Sequence, residues 1–362
     1  MRLELTRRPQ PSRRMALLSP VIAVGLAVVT TAIVFMLYGV DPVRGLYIYF
    51  IAPLTEGWSR EELVVKATPL ILIGVGLAVA FLSNNWNIGA EGQFTIGAIT
   101  GSMLPILSPD FQNFATLPLM LTLGALGGAL YATVPALLKT RFGTNEILTS
   151  LMLVYVATLF LDWMVRGPWR DPMAFGFPNT ISFSAAASIP FIGSGRLNAS
   201  AVVALVIVVL LAVIFARTLK GFEIRVLGES PRAGAFAGFS AKRMTIFAFA
   251  VSGGLAGLAG IMEVASVIGK LQPAISPGYG FTAIIVAFLG RLNPIGIFIA
   301  GFVIALSYLG GEAIQSGLQV SSRMAQVLQG TLLFYVLACD SFILYRMRIV
   351  RSHAGASAPA HA

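Results

Sequence analysis

Apolar residues in this chain fall into runs too long and too unbroken for the core of a soluble domain. They lie at 17–38, 62–82, 88–107, 115–138, 146–165, 199–217, 243–266, 281–290, 294–311 and 324–341, separated by polar segments. A helix needs about 20 apolar residues to cross the hydrocarbon of a bilayer, and only structures that satisfy their own backbone can span it. The pattern therefore predicts an all-α polytopic membrane protein of about ten transmembrane helices. The eighth run is too short to cross alone, so it is either extended by the Gly-rich residues before it or buried among its neighbours.

Composition sharpens this. Hydrophobic residues make up 57% of the 362 residues and charged residues only 11%, against roughly 25% charged in soluble domains. The net charge of +10 would suit nucleic acid, but the basic residues sit at the ends of apolar runs, where topology explains them and no nucleic-acid partner is needed. The single Cys339 excludes an internal disulfide. The only histidines, His353 and His361, lie in the tail, so no metal site and no histidine catalysis is expected in the membrane. Arg2, Arg7, Arg8, Arg13 and Arg14 precede the first run, and Tyr38 to Pro42 makes a poor cleavage site, so that run reads as a helix rather than a signal peptide.

Lys and Arg also orient the chain. The N-terminal tail, Lys139 with Arg141, the segment Arg217 to Arg243, and Arg346 with Arg348 and Arg351 all fall on one side if the crossings number about ten, which puts both termini in the cytoplasm. Residues 1–16 are then a basic cytoplasmic tail and 17–341 the transmembrane domain. Within it 166–198 is an external loop and 218–243 a cytoplasmic one, and 342–362 is expected to be a disordered cytoplasmic tail. Pro168, Pro172, Pro178 and Pro190 mark the external loop as either a passive connector or a docking surface for an external protein.

Two places break the apolar pattern. Ser83 to Gln93 places four asparagines or glutamines and Glu91 between runs, a set too polar to face lipid. Asn87 and Glu91 can cap a helix there, with Glu91 held by the exposed N–H groups of its first turn. Glu91-Gly92-Gln93-Phe94-Thr95 can be laid against Gly278-Tyr279-Gly280-Phe281-Thr282. The match fits two inverted repeats, spans 2–5 and 7–10, with a translocation path near the breaks. Asn87, Glu91, Gln93, Phe94, Phe281 and Thr282 are the candidate substrate-path residues. Gly124 with Gly128, Gly253 with Gly257, and Ala256 with Gly260 are spaced for close helix contact.

The second break is Gly221 to Arg243. Ser230 is placed to cap a short helix, Pro231 suits its first position, and Gly238 can close it in the left-handed conformation. Its exposed face is expected to offer Arg232, Ala233, Gly234 and Ala237. No G-x-x-x-x-G-K-S/T follows the glycines of Ser252 to Gly260, so ATP would bind to another polypeptide.

Several of these segments carry a family resemblance. Arg225, Gly228, Ala235 and Gly238 resemble the coupling loop of ATP-binding-cassette (ABC) importer permeases of the branched-chain amino acid, ribose and nucleoside class. N-I-G-A-E-G-Q-F-T-I-G-A, from Asn87, and Gly143 to Val156 resemble two further motifs of the bacterial nucleoside-type, or simple-sugar-class, permeases, with Val154 standing where a polar Asn is expected. The resemblance runs from Leu17 to Cys339. It implies a bacterial cytoplasmic-membrane permease subunit of an importer, with a nucleoside as substrate and ribose or another simple sugar as the alternative. It also implies cytoplasmic ATPase subunits that hydrolyse the ATP, a second permease subunit, and an external binding protein or lipoprotein. Arg225, Gly228, Ser230, Pro231, Arg232, Ala233, Ala235 and Gly238 would then serve ATPase coupling, with no catalytic residue and no cofactor on this chain. An ion-coupled secondary transporter is the rival, resting on Glu91 and Glu263 as intramembrane acids but leaving the coupling-like loop unexplained. A membrane enzyme lacks any His, metal or nucleophile constellation.

Overall fold

The structure, a computed structural model, describes residues 2–7, 13–193, 195–318, 326–327, 330–331, 334–335, 338–339 and 345–350. The chain divides into two compact units, 1–46 with 320–362, and 47–319.

In the first unit, β1 (Arg2–Arg7) is followed by α1 (Arg13–Leu37) and α2 (Pro42–Leu46), and β2 (Tyr345–Val350) pairs antiparallel with β1. The register sets Leu3 opposite Ile349, Glu4 opposite Arg348 and Leu5 opposite Met347. This corrects the expectation of an unstructured 342–362 for residues 345–350. Both segments alternate apolar and polar residues at the period a strand uses, a pattern too short to register beside the long apolar runs. Residues 351–362 lie outside the described residues, as does most of the tenth expected span. The Thr30 and Tyr335 hydroxyls meet at 2.7 Å.

The second unit opens with a π-helical turn at Tyr47–Ile51 and then α3 (Ala52–Thr55) and α4 (Gly57–Leu82). There follow α5 (Ala90–Leu107), α6 (Thr116–Phe142), α7 (Glu146–Arg166) and α8 (Ser200–Arg217). Two short helices, α9 (Leu219–Glu229) and α10 (Pro231–Phe236), lead into α11 (Ala241–Glu263), which continues as a π-helical turn to Ile268. The half-length α12 (Tyr279–Leu289) and α13 (Pro294–Leu318) close the unit. Among the described residues α4, α6, α7, α8, α11 with its π-helical turn, and α13 are long and apolar enough to cross a membrane. The eighth apolar run is indeed short, and it begins two residues earlier than the sequence suggests.

Helix pairing follows an exchange rule. Helix α4 packs on α13 and α11 on α6; α5 packs on α11 and α12 on α4; α5 adjoins α6 and α12 adjoins α13. Swapping α4 with α11, α5 with α12 and α6 with α13 turns each of these pairs into another. The pairs α4 with α11 and α5 with α12 map onto themselves.

The tightest seam joins α5, α6 and α11 through glycines. A Cβ added to Gly257 would stand 2.8 Å from the Gly128 Cα and collide with the Gly124 carbonyl, while one on Gly97 would collide with the Gly257 backbone. Without a hydrophobic driving force between helices in lipid, this backbone-to-backbone approach maximises dispersion contact. Gly254, one position off the seam, would meet only Ala125 and Ala129 at 3.5 Å.

Gly257→Leu should therefore destabilise the folded protein by about 3 kcal/mol or prevent assembly, whereas Gly254→Ala should be tolerated. Thermal unfolding and gel-filtration profiles of the two purified variants provide the comparison.

Candidate functional site

The polar stretch after α4 turns back into the protein and makes a closed amide network. Asn84 takes a left-handed φ of 56°, a conformation asparagine tolerates better than most residues, and reverses the chain as α4 ends. The Asn87 side-chain N–H donates to Gln93 Oε1 at 2.8 Å and to Ser252 Oγ on α11 at 3.0 Å. In return Asn87 Oδ1 accepts from Gln93 Nε2 at 2.9 Å and from the Gly89 N–H at 3.1 Å. Asn87 is 0% and Gln93 2% exposed, so both amides are satisfied by protein.

Glu91 does something else. It stands in the first turn of α5, yet its Oε2 accepts from the N–H of Gly280 on α12 at 2.6 Å. The Ser276 hydroxyl hydrogen-bonds the same carboxylate while accepting from the N–H groups of Gly278 at 3.0 Å and Tyr279 at 2.9 Å. The first turns of α5 and α12 touch backbone to backbone, since a Cβ on Gly280 would stand 2.5 Å from the Glu91 Cα.

Of the remaining predicted path residues, Phe94 is fully buried with its ring edge-on to Tyr279 at 6.2 Å. The Thr282 hydroxyl meets Tyr308 at 2.8 Å. Phe281 is 39% exposed. The structure thus joins Asn87 with Gln93 and Glu91 with the start of α12, but Phe94 and Phe281 occupy dissimilar surroundings despite their alignment.

The two sequence motifs that open α5 and α7 meet each other. Asn145 caps α7 by accepting from the N–H groups of Ile147 and Leu148. Ser150 accepts from the Ile88 N–H at 3.2 Å, and Cβ atoms at Gly89 and Gly92 would stand 2.8 Å from the Ser150 carbonyl oxygen and 2.9 Å from the Val154 Cα. At the same end Lys139 pairs with Glu146 at 2.5 Å and donates to Asn85 Oδ1 at 3.0 Å. Phe81, Trp86 and Phe288 stack beside this knot with centroids 5.3 to 6.1 Å apart.

The loop between α8 and α11 carries a pair of helices. Thr218 caps α9 through the Gly221 N–H, and Ser240 caps α11 through the Arg243 N–H. Ser230 departs from expectation: it is the N-cap residue before Pro231 but makes no side-chain cap. Helix α10 ends in a Schellman motif, with Phe239 N–H donating to Gly234 O at 2.9 Å, Gly238 N–H to Ala235 O at 3.0 Å, and Gly238 at φ 82°. Gly234 is buried rather than exposed, because a Cβ there would stand 2.5 Å from Leu227 on α9. Pro231, Arg232, Ala233, Ala235 and Phe236 form the outward face, and Phe236 is 95% exposed. Arg225 and Gly228 work within the chain. Arg225 donates to the Phe215 carbonyl at 2.9 Å, and Gly228 lets α9 close on the Leu82 carbonyl.

Sequence reasoning missed a charge cluster at the other end of α4. Lys66 lies 2.9 Å from Glu312 and 3.8 Å from Glu62, Arg196 lies 3.2 Å from Glu62, and the Arg196 N–H donates to Glu61 at 2.6 Å. Glu62 and Lys66, one helical turn apart at the start of a span, were its available signal. Glu263 faces the same charges from α11 and lines a narrow crevice with Thr68 and Ser266. The 166–198 loop is laced to the segment after α11: Ile189 N–H donates to Ala265 O, Phe183 N–H to Gly269 O, and Thr180 N–H to Leu271 O, at 2.8 to 3.1 Å. No group of histidine, cysteine or acidic residues suited to a metal occurs among the described residues.

Residues 59–337 match the family described as branched-chain amino acid transport system / permease component. The chain is 32% identical to the glucose ABC transporter permease protein TsgB13 of Haloferax volcanii over 95% of its own length and 93% of that protein. It is 29% identical to the nucleoside ABC transporter permease protein NupB of Lactococcus lactis, over 88% of this chain and 90% of the relative. It is also 29% identical to the guanosine ABC transporter permease protein NupP of Bacillus subtilis, over 88% of this chain and 92% of the relative. The match across most of the sequence, joined to a helical fold built from apolar spans, makes this chain a member of the ABC transporter permease family of the branched-chain amino acid transport type.

Proposed function

We propose that this chain is the transmembrane subunit of an importer for nucleosides, paired with a similar or identical permease and driven by separate cytoplasmic ATPase subunits. The observation that carries the coupling role is α10, a short helix closed at its C-terminus by a Schellman motif, with a small-residue face and the exposed Phe236 ring. Gly228 seats this helix pair on the end of α4, at Leu82 and Ser83, and Leu227 lines a cavity beside Ser83, Asn84 and Asn85. On this reading a push on α10 passes through α9 to the end of α4, from which the chain turns toward α5. An external binding protein or lipoprotein would dock on the 166–198 loop, whose Phe175 and Phe177 are exposed. On this reading both termini and α10 lie in the cytoplasm, and the helix exchange described above is what two inverted repeats would give.

Nucleosides are favoured because NupB and NupP are nucleoside permeases that align with most of this chain. Their base edges and ribose hydroxyls suit the carboxylate and hydroxyl groups of Glu91, Thr282 and Tyr308. The second reading, a hexose, is favoured by TsgB13, a glucose permease. Asn87 and Gln93 then hold the path's shape rather than touch substrate, Phe94 backs it, and Phe281 lines it or faces the partner permease.

Three measurements test this. With Cys339 replaced, Ser230→Cys should react with impermeant reagents only from the cytoplasm and Ser184→Cys only from outside; the reverse would overturn the orientation. In the assembled complex, Ala233→Trp or Ala235→Trp should abolish transport-coupled ATP hydrolysis while leaving helix content unchanged, and full coupling would reduce α10 to an ordinary connector. Glu91→Gln removes a charge-assisted hydrogen bond of about 1.5–3 kcal/mol and should slow uptake at least about tenfold. A panel of nucleosides and hexoses, run on the wild type, Glu91→Gln and Phe281→Ala, identifies the substrate; unchanged rates and ranking in both variants would remove these residues from the path.

A further inference from the structure

The 166–198 loop ends in a short hairpin. Phe191 pairs antiparallel with Asn198, the Ile192 N–H donates to Leu197 O at 2.7 Å, and the Ala199 N–H donates to Pro190 O at 3.1 Å. Gly193 bends the chain at a left-handed φ of 82°, a region glycine enters without steric cost. A two-stranded hairpin is marginally stable at best by itself, so its position depends on what holds each end.

Root and tip are held by different forces. At the root, the Ile189 N–H donates to Ala265 O at 2.9 Å, on the π-helical turn that continues α11, and Asn198 Oδ1 accepts from the N–H of Ser200, the first residue of α8. At the tip, the Arg196 N–H donates to Glu61 Oε2 at 2.6 Å, and the Arg196 guanidinium lies 3.2 Å from Glu62 Oε2. A Cβ on Gly195 would collide with the Glu61 carboxylate, so glycine at 195 is what lets the tip close on α4. The Glu62 side chain is only 10% exposed, and a carboxylate withdrawn from water needs cations close by. Lys66 stands 3.8 Å from it on the next turn, and pairs in its own right with Glu312 of α13 at 2.9 Å.

The hairpin therefore reaches from the end of α11 to the start of α4. We propose that Arg196 is a positioning residue, the charged tip of a strut that holds these two helix ends at a set spacing and, through Glu62 and Lys66, ties α13 to them. Helix α11 packs on α5 and α4 on α12, so the strut joins the two helices that bear the Glu91–Gly280 junction. Its part in uptake rests on the transport reading proposed above; the anchoring does not. The root depends on directional hydrogen bonds, but the tip depends on charge, so removing one charge frees the tip alone.

The test begins with the purified full-length chain in lipid nanodiscs, without the ATPase. Hydrogen exchange read by mass spectrometry should speed up about fivefold over 190–199 in Arg196→Gln, the effect of losing a partly exposed ion pair. It should return to the wild-type rate in Arg196→Lys. Gly195→Ala, which keeps the Arg196 charge but pushes the Glu61 carboxylate off the tip, should speed the same peptide. The Arg196 side chain is 58% exposed, so its replacement leaves the interior intact, and peptides of α6 should exchange at the wild-type rate in every variant. Exchange indifferent to Arg196→Gln, or raised equally by Arg196→Gln and Arg196→Lys, would overturn the charged anchor. In the assembled complex, uptake of the nucleoside and hexose panel should fall about fivefold in Arg196→Gln, with the substrate ranking unchanged, and recover in Arg196→Lys. Wild-type uptake beside a loosened hairpin would remove Arg196 from the working cycle and overturn the positioning role. A wild-type complex that carries no member of the panel refutes the transport reading, while the exchange result stands.

Discussion

Everything in the larger unit is arranged around two helix N-termini that meet. The first turns of α5 and α12 touch, and each brings several backbone N–H groups without helical partners and a partial positive charge of about half an elementary unit. Two such ends repel unless something negative lies between them. Glu91 supplies that charge from one helix and spends its hydrogen bond on Gly280 of the other, while Ser276 satisfies the next two N–H groups. Glycine at 280 and the turn at Asn84 are needed for the same reason, because the ends must come within contact distance before the carboxylate can serve both.

The amide network is what holds this junction in register. Asn87 and Gln93 form a mutual pair with both hydrogen bonds made, and Ser252 ties that pair to α11. A buried amide left unpaired costs about 1–3 kcal/mol, so any shift of α5 along its axis by one residue is penalised at once. Gly89 and Gly92 admit α7 to the same place, which makes the start of α7 a fourth wall rather than a neighbour. The motifs read separately in the sequence are two faces of one joint.

How far the sequence foretold this depends on the kind of information each residue carries. Apolar runs reported the spans to within a few residues at most ends, because hydrocarbon thickness fixes length and polar residues mark the exits. The Ser83 to Gln93 break and the Gly238 stop were legible from residue types that few backbones accommodate. Partnership was not legible. Nothing along the chain says that Asn87 meets Ser252, that Glu91 meets the backbone of Gly280, or that Arg225 turns inward to Phe215. These depend on the rotation of one helix about its axis relative to another, and an all-apolar helix shows no face by which to set it. Phe94 and Phe281 illustrate the limit, since two positions that align in sequence ended in a buried and a half-open environment.

The glycine seam has a mechanical meaning beyond close packing. Where side chains interdigitate, helices can slide by exchanging rotamers, but contacts between backbone atoms have no such slack. Helices α5, α6 and α11 are joined through Gly97, Gly124, Gly128 and Gly257 in this way, so they act as a chassis of fixed dimensions. Deformation during a working cycle must then be absorbed where larger side chains fill the gaps, as at Ile71 against Gly301 and Ile297 against Gly74. The contact between α6 and α11 and its exchange-related counterpart between α4 and α13 are thus built differently, the first on glycine backbone and the second on isoleucine side chains against glycine.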